Sequence, residues 1–174
     1  MKIKQIFAND YINVDLKGND RLTFVRRSPA SIVILVQHHD QFIFIRQYRQ
    51  PLEQYIIQLP GGKVEDDEEF ETAARRELLE ETGIRCGKLE YYGKIHPSPW
   101  VTNEETHVFF TEEIIDISVP MLEEYEKIET ISISIKKCYE LVRIGELTTD
   151  AELHFALFQY ALRNPSILSQ NHFH

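Results

Sequence analysis

Glu77, Glu80 and Glu81 stand within one five-residue window, in the run RRELLEETG over residues 75–83. Helical spacing places them on adjoining rows of a single helix, and Gly83 follows as a stop signal. Helix stability asks for nothing of the kind. Like charges at neighbouring helical positions repel, and negative charge near a helix C-terminus opposes the macrodipole. A solvated acidic face accounts for Asp66, Asp67 and Glu69, but not for Glu77 and Glu81. Those two extend the row of Ala73, beside the apolar row Phe70, Ala74 and Leu78. A carboxylate at the edge of a buried stripe is costly unless it is paired or bound to a metal. Hard divalent cations such as Mg2+ or Mn2+ prefer such oxygens and bind phosphates at the same time. The carboxylates are therefore read as a cation site facing an anionic substrate, with Arg75 and Arg76 pointing elsewhere.

The elements that must carry this group follow from pattern. A helix is expected from Asp66 to Thr82, with Asp66 as N-cap and Glu69 completing a capping box. Upstream, SIVILV and QFIFIRQY form a buried strand hairpin across QHHD, and YIIQ is a short strand stopped by Leu59-Pro60-Gly61-Gly62. Downstream, KLEYYGKI and ETHVFFTEE are strands flanking the loop HPSPWVTN. TISISI is a further strand and KKCYELVRIG a helix, and a last helix runs from about Asp150 to Arg163. Residues 1–27 read as short alternating strands between turn-forming clusters. Irregular alternation of strands and helices indicates an α/β or α+β layered domain.

Composition narrows the function classes. A chain of 174 residues with 43% hydrophobic content favours one domain with a substantial core. The net charge of −9 argues against nucleic acid or an anionic membrane as a partner. No apolar run reaches the roughly 20 residues of a membrane span, and the N-terminus lacks the apolar core of a signal peptide, so a cytoplasmic protein is expected. Cys86 and Cys138 are read as inert thiols rather than a disulfide or zinc framework. No Ser–His or Cys–His set suggests a covalent intermediate.

The segment GGKVEDDEEFETAARRELLEETGI resembles the Nudix box of the MutT-like hydrolases. Gly62, Glu68, Arg76, Glu77, Leu78, Glu80, Glu81, Gly83 and Ile84 occupy the nine specified positions of that pattern. The resemblance implies an α/β/α sandwich with a mixed sheet, and hydrolysis of a nucleoside diphosphate linked to another moiety. It implies Glu77 and Glu81 as principal metal ligands, Glu80 as a supporting ligand and the carbonyl of Gly61 as another. Glu68 then pairs with Arg76 and orients the cluster.

Beyond the box, IRQYRQPLEQYIIQLPGGK resembles the corresponding segment of ADP-ribose pyrophosphatases, commonly close to RQYR…LELPAGK. Arg49 matches a substrate-contacting position, and Arg46 is either a second contact or a surface cation. Gln58 stands where glutamate is usual and Gly61 where alanine is usual. Pro99 matches a proline that accompanies ADP-ribose specificity, and Trp100 replaces the glycine that usually follows. Trp100 is therefore a stacking face for a base or ribose, or else a core residue. MLEEYEKIETISI resembles the subfamily's acidic loop, which makes Glu124 and Glu126 candidates to orient or deprotonate the attacking water or to hold an additional metal, the alternative being a solvated loop. His154 is read as structural. The resemblance also makes residues 1–27 a dimerisation element of a homodimer, the alternative being strands that cover the edge of their own sheet, with residues 28–174 as the hydrolase domain. Its apolar positions are Ile3, Ile6, Phe7, Ile12 and Val14.

The expected activity is Mg2+-dependent hydrolysis of ADP-ribose or a related nucleoside diphosphate sugar. Its rivals are another Nudix substrate, such as GDP-mannose, a dinucleoside polyphosphate or a capped RNA end, and a nucleotide-sensing domain without turnover.

Overall fold

The computed structural model describes residues 3–18, 21–122 and 127–167. The alternating N-terminal pieces form β1 (Ile3–Ala8), β2 (Ile12–Lys17) and β3 (Arg21–Arg26), an antiparallel sheet in the order β1-β2-β3. The sheet leaves Ile3, Ile6 and Phe7 exposed, while Ile12 and Val14 are half-buried. Its last strand docks on the loop after residue 95. The Phe24 N–H donates to the Val101 carbonyl at 2.7 Å, and Arg26 and Asn103 exchange bonds of 2.8 and 2.9 Å.

The two apolar runs become β4 (Ala30–His38) and β5 (Gln41–Arg49), joined by a tight turn with His39 at φ 57°. They pair antiparallel and lie at the middle of the main sheet. β6 (Gln54–Gln58) pairs with β5, and β7 (Gly61–Lys63) with β4. β8 (Ile84–Cys86) stands outside this sheet; β9 (Glu90–Ile95) and β10 (Glu105–Thr111) complete one side of it. β10 runs parallel to β4, the single parallel pairing between named strands. β11 (Ile114–Ile117) pairs with β8 in a small separate ribbon, and β12 (Ile128–Ser134) borders β5. The backbone order is β12-β5-β4-β10-β9.

Strands buried on both faces read as continuous apolar runs, because every residue has a layer to pack on. Along β4, Ile32, Ile34 and Val36 face one layer and Leu35 the other. The first layer is α1 (Phe70–Thr82), which inserts Ala73, Ala74 and Leu78, all fully buried. The second holds α2 (Ile135–Ile144) and α3 (Ala151–Arg163), where Leu153, Ala156, Leu157 and Tyr160 meet Phe42 and Phe44. The result is the expected α/β/α sandwich with a mixed sheet. Among the described residues no helix is long and apolar enough to cross a membrane. Cys86 and Cys138 are buried, and burial pushes the Cys138 thiol up to about 12, which keeps it unreactive.

The start of α1 departs from expectation. The helix begins at Phe70, Glu69 provides no side-chain cap, and Asp66 instead accepts a bond from Ser28 Oγ at 2.7 Å. Asp67 lies in the left-handed region at φ 63°, and Glu68 N–H returns to the Glu65 carbonyl at 3.2 Å. This turn frees the Glu68 side chain to reach the helix from outside. Phe70, at the head of the apolar row, does meet the sheet, stacking on His107 of β10 with ring centroids 3.8 Å apart, but it remains 37% exposed. α3 follows its pattern: Asp150 Oδ1 accepts from Leu153 N–H at 3.0 Å. His154, bonded through Nδ1 to the Asp150 carbonyl at 2.9 Å, lies on that helix.

Candidate active site

The site is assembled around β7. Gly61 and Gly62 pair with Val33 and Ile32 of β4, and Ile34 N–H donates to the Pro60 carbonyl at 2.9 Å. Gly61 has φ 150°, and a Cβ there would fall 2.1 Å from the Ile32 carbonyl oxygen, so glycine is required for this close pairing. At Gly62 a Cβ would fall 2.6 Å from Glu77 Oε1. The missing side chain lets the helix carboxylate lie directly against the strand backbone. Gly61 N–H donates to Glu81 Oε2 at 2.7 Å, and Glu81 is only 5% exposed. A helix edge and a three-residue strand are thus tied through carboxylates.

Arg76 organises the rest. Its Nε and Nη2 donate to the two oxygens of Glu68, each at 2.9 Å, in the bidentate geometry that suits a guanidinium. Its Nη1 donates to Glu77 Oε1 at 2.8 Å and Glu80 Oε2 at 3.2 Å, and Nη2 also reaches the Lys63 carbonyl at 3.1 Å. The bond to Glu68 is the main reason that Arg76 holds its proton more tightly than an ordinary arginine, and it also holds the Glu68 carboxyl below the usual range. The expectation that Arg76 points away from the acidic group therefore fails. Helix spacing gives direction at Cβ, but a long side chain can fold back along its own axis to the charges that stabilise it. Arg75 does point away, donating to the Cys86 carbonyl at 2.9 Å.

Glu77 and Glu81 meet the Gly61–Gly62 backbone on one edge of α1 and Glu80 shares Arg76 with Glu77, giving a set of carboxylate oxygens that fits Mg2+ or Mn2+. The close seat of Glu77 on Gly62 supports that fit, since it places a half-buried carboxylate where no side chain intervenes. Among the described residues, no three acidic, histidine or cysteine side chains converge as a preformed cation cage. One oxygen each of Glu77 and Glu80 is turned to Arg76.

β7 also lines a cleft of about 210 Å³, whose wall includes Arg49, Gln58, Gly61, Gly62, Asp150 and Glu152. Arg49 Nε donates to Gln58 Oε1 at 2.6 Å, and Gln58 Nε2 donates to Asp150 Oδ2. Burial, and then the neighbouring Asp150, push the Glu152 carboxyl above its ordinary range, partly offset by a bond from Thr106. A larger recess of about 640 Å³ adjoins the cleft, sharing Arg26, Ser28 and Lys63 with it and adding Tyr11 and Arg27. Arg46 is turned to the opposite face of β5 from Arg49. There it pairs with Glu129 at 3.0 Å and lies over the Tyr55 ring at 4.7 Å. Period-two alternation makes that separation inevitable for positions 46 and 49. Pro99 and Trp100 are exposed, Trp100 at 73%, and neither lines the cleft, so the core alternative for Trp100 is ruled out. Glu124 and Glu126 lie outside the described residues. Sequence reasoning missed the cleft acids Glu104, Asp150 and Glu152, since Glu104 lies 46 and 48 positions before the other two and no local spacing joins them.

This arrangement agrees with comparison to known proteins. The NUDIX domain family model matches residues 25–141. The chain belongs to the Nudix family and is a Nudix hydrolase. It is 31% identical to an ADP-ribose pyrophosphatase of Bacillus subtilis (strain 168), covering 97% of this chain and 90% of that one. It is 26% identical to a methanol dehydrogenase activator of Bacillus methanolicus, covering 94% and 95%. An ADP-sugar pyrophosphatase of Mus musculus is 39% identical over 82 residues, 45% of this chain and 38% of that one. The solved structure of an ADP compounds hydrolase superposes with a TM-score of 0.76 at 19% identity, covering 99% and 95%, and confirms the fold.

Proposed function

We propose that this hydrolase cleaves the diphosphate bond of ADP-ribose or a related nucleoside diphosphate sugar in a Mg2+-dependent reaction that Mn2+ also supports. The observation that carries the proposal is the double role of β7. Its Gly61 N–H holds the Glu81 carboxylate at 2.7 Å, while the same two glycines line the cleft that contains Arg49. A diphosphate gripped by Arg49 would therefore lie one backbone away from the acidic helix edge.

In this reading Glu77, Glu80 and Glu81, with the Gly61 carbonyl, hold the divalent cation, and Glu68 with Arg76 fixes their orientation. What the cation supplies at such a site is a water of lowered pKa and compensation for charge on the phosphoryl oxygens. Arg49 binds and orients the diphosphate, Glu124 or Glu126 positions the attacking water, and AMP and ribose 5-phosphate leave from ADP-ribose. The relatives named for ADP-ribose and ADP-sugars support this substrate class. The N-terminal sheet, residues 1–27, is proposed as the contact of a homodimer. Ile3, Ile6 and Phe7, each more than half exposed, support that role.

The test is incubation with magnesium chloride and a panel of ADP-ribose, GDP-mannose and a dinucleoside polyphosphate, with products separated by chromatography. AMP and ribose 5-phosphate should appear from ADP-ribose and vanish with a chelator. Faster turnover of GDP-mannose would move the substrate assignment. Tight nucleotide binding without hydrolysis anywhere in the panel would replace the enzyme by a sensor.

A further inference from the structure

Gln58 occupies a position with only one workable arrangement. Arg49 Nε is solely a donor and the Asp150 carboxylate solely an acceptor. A glutamine between them satisfies both only with Oε1 turned to the arginine and Nε2 to the aspartate, as found. Reversing the amide would set hydrogen against hydrogen and oxygen against oxygen. Asp150 is itself held: Oδ1 accepts from Leu153 N–H at 3.0 Å as the cap of α3, which leaves Oδ2 for Gln58. The chain before it is tied to β6 through Ile57 N–H and the Thr148 carbonyl at 3.0 Å, so the cap cannot drift from the strand that carries Gln58. Among the described residues the two terminal nitrogens of Arg49 make no hydrogen bond, and the side chain lines the cleft.

We propose that Asp150 is a positioning residue: through the Gln58 amide it fixes the rotation of Arg49 and so aims the guanidinium fork at the substrate diphosphate. The inference rests on the reading of Arg49 as the diphosphate grip. It also gives a physical meaning to glutamine at position 58, where the resembling segment usually has glutamate. A glutamate beside Asp150 would set two carboxylates against each other with no hydrogen between them. The neutral amide transmits orientation from a carboxylate one residue removed, with a donor for the aspartate and an acceptor for the arginine. Glu152 and Glu104, which share the cleft wall, add negative potential there without bonding to the relay.

The experiment exchanges the amide and the carboxylate. Asparagine caps helices about as well as aspartate, so Asp150→Asn should keep the fold and a melting temperature within a few degrees of the parent. Its single oxygen remains on Leu153 N–H, its amide nitrogen confronts Gln58, and Gln58 must turn over. The KM for ADP-ribose should then rise about tenfold, the order expected for a misplaced charge-assisted hydrogen bond, with kcat changed by less than about twofold. Gln58→Glu alone should also raise KM. The double variant Q58E/D150N recreates the chain of bonds with charges exchanged, and its KM should return to within about threefold of the parent. A pure cap predicts otherwise: an unchanged KM in Asp150→Asn, or a double variant no better than the worse single one, overturns the relay.

A second readout is independent of turnover. The Arg49 Nε–H resonance in a 1H–15N spectrum should lose its hydrogen-bonded position in Asp150→Asn and regain a hydrogen-bonded one, facing a carboxylate, in the double variant. If the parent hydrolyses nothing in the nucleotide panel, the proposed function falls while this resonance still decides the relay. A resonance unmoved by Asp150→Asn rejects it.

Discussion

α1 and α3 are both 13 residues long and pack on opposite faces of one sheet, yet they treat the local rules of helix stability in opposite ways. α3 has an aspartate cap, a glutamate in its first turn, an arginine in its last, and one continuous buried face. Each of these agrees with the macrodipole and with amphipathic packing. α1 has no side-chain cap and no base in its last turn, and it gathers Glu77, Glu80 and Glu81 toward the end where negative charge is unfavourable. It persists because Ala73, Ala74 and Leu78 are fully buried against β4 and because Arg76 bonds to two of its acids and to Glu68. Where tertiary contacts hold an element so firmly, its exposed edge is released from stabilising itself and becomes available for chemistry.

The comparison is broken most directly at Glu81. Glu81→Gln keeps the shape and an oxygen for Gly61 N–H but removes the charge. Turnover of ADP-ribose should fall by about 100- to 1000-fold, the scale of losing one transition-state charge partner, while the melting temperature stays within a few degrees. Steady-state kinetics beside a thermal melt would read both. A melting temperature lowered in step with activity would make α1 an ordinary structural helix and erase the contrast.

The reciprocal change falls in α3. Leu153 is completely buried among Phe42, Phe44 and Leu157, so Leu153→Ala should lower the unfolding free energy by about 2–5 kcal/mol. Urea unfolding would measure it. Turnover per folded molecule should remain within about twofold, since the Leu153 side chain lies in the core and its one bond to a cleft residue, from its backbone N–H to Asp150, is kept by alanine. A large loss of kcat in the fully folded variant would show that packing under α3 reaches the site.

The same contrast explains which features the sequence made legible. Glu77, Glu80, Glu81, Glu68 and Arg76 lie within 14 consecutive positions, so helical geometry and a fixed spacing expose them without any knowledge of the tertiary fold. β4 and β5 are legible because burial on both faces leaves an unbroken apolar run. The cleft is not, since its central contact joins Gln58 to Asp150 across 92 positions. β7, β8 and β11 span three or four residues, too few for a period of two to emerge. The expected capping box of Asp66 and Glu69 misled because Ser/Thr/Asp-x-x-Glu is a purely local pattern, whereas Asp66 accepts from Ser28 Oγ, 38 positions away, and the helix starts only at Phe70. The docking of β3 on the loop of Val101 and Asn103 rests on backbone and amide bonds that no pattern announces.

One residue of α3 runs against the orderly character of its helix. Glu152 sits in the first turn, where the dipole favours a charge, yet burial and then Asp150 raise its pKa above the ordinary 4.5. A raised value means that the folded protein holds this proton more tightly than the unfolded chain does. Folding stability contributed here is complete at pH below 4.5 and is lost as pH rises through the raised value. Glu152→Gln cannot ionise, so its stability relative to the parent should gain as pH moves from about 4 to about 8, by a modest margin given the half-exposed setting. Guanidinium unfolding of both proteins at several pH values would trace the difference. A difference that stays flat, or that favours the variant only in acid, would mean that α3 carries no electrostatic strain at the cleft and that the division between the two helices is complete.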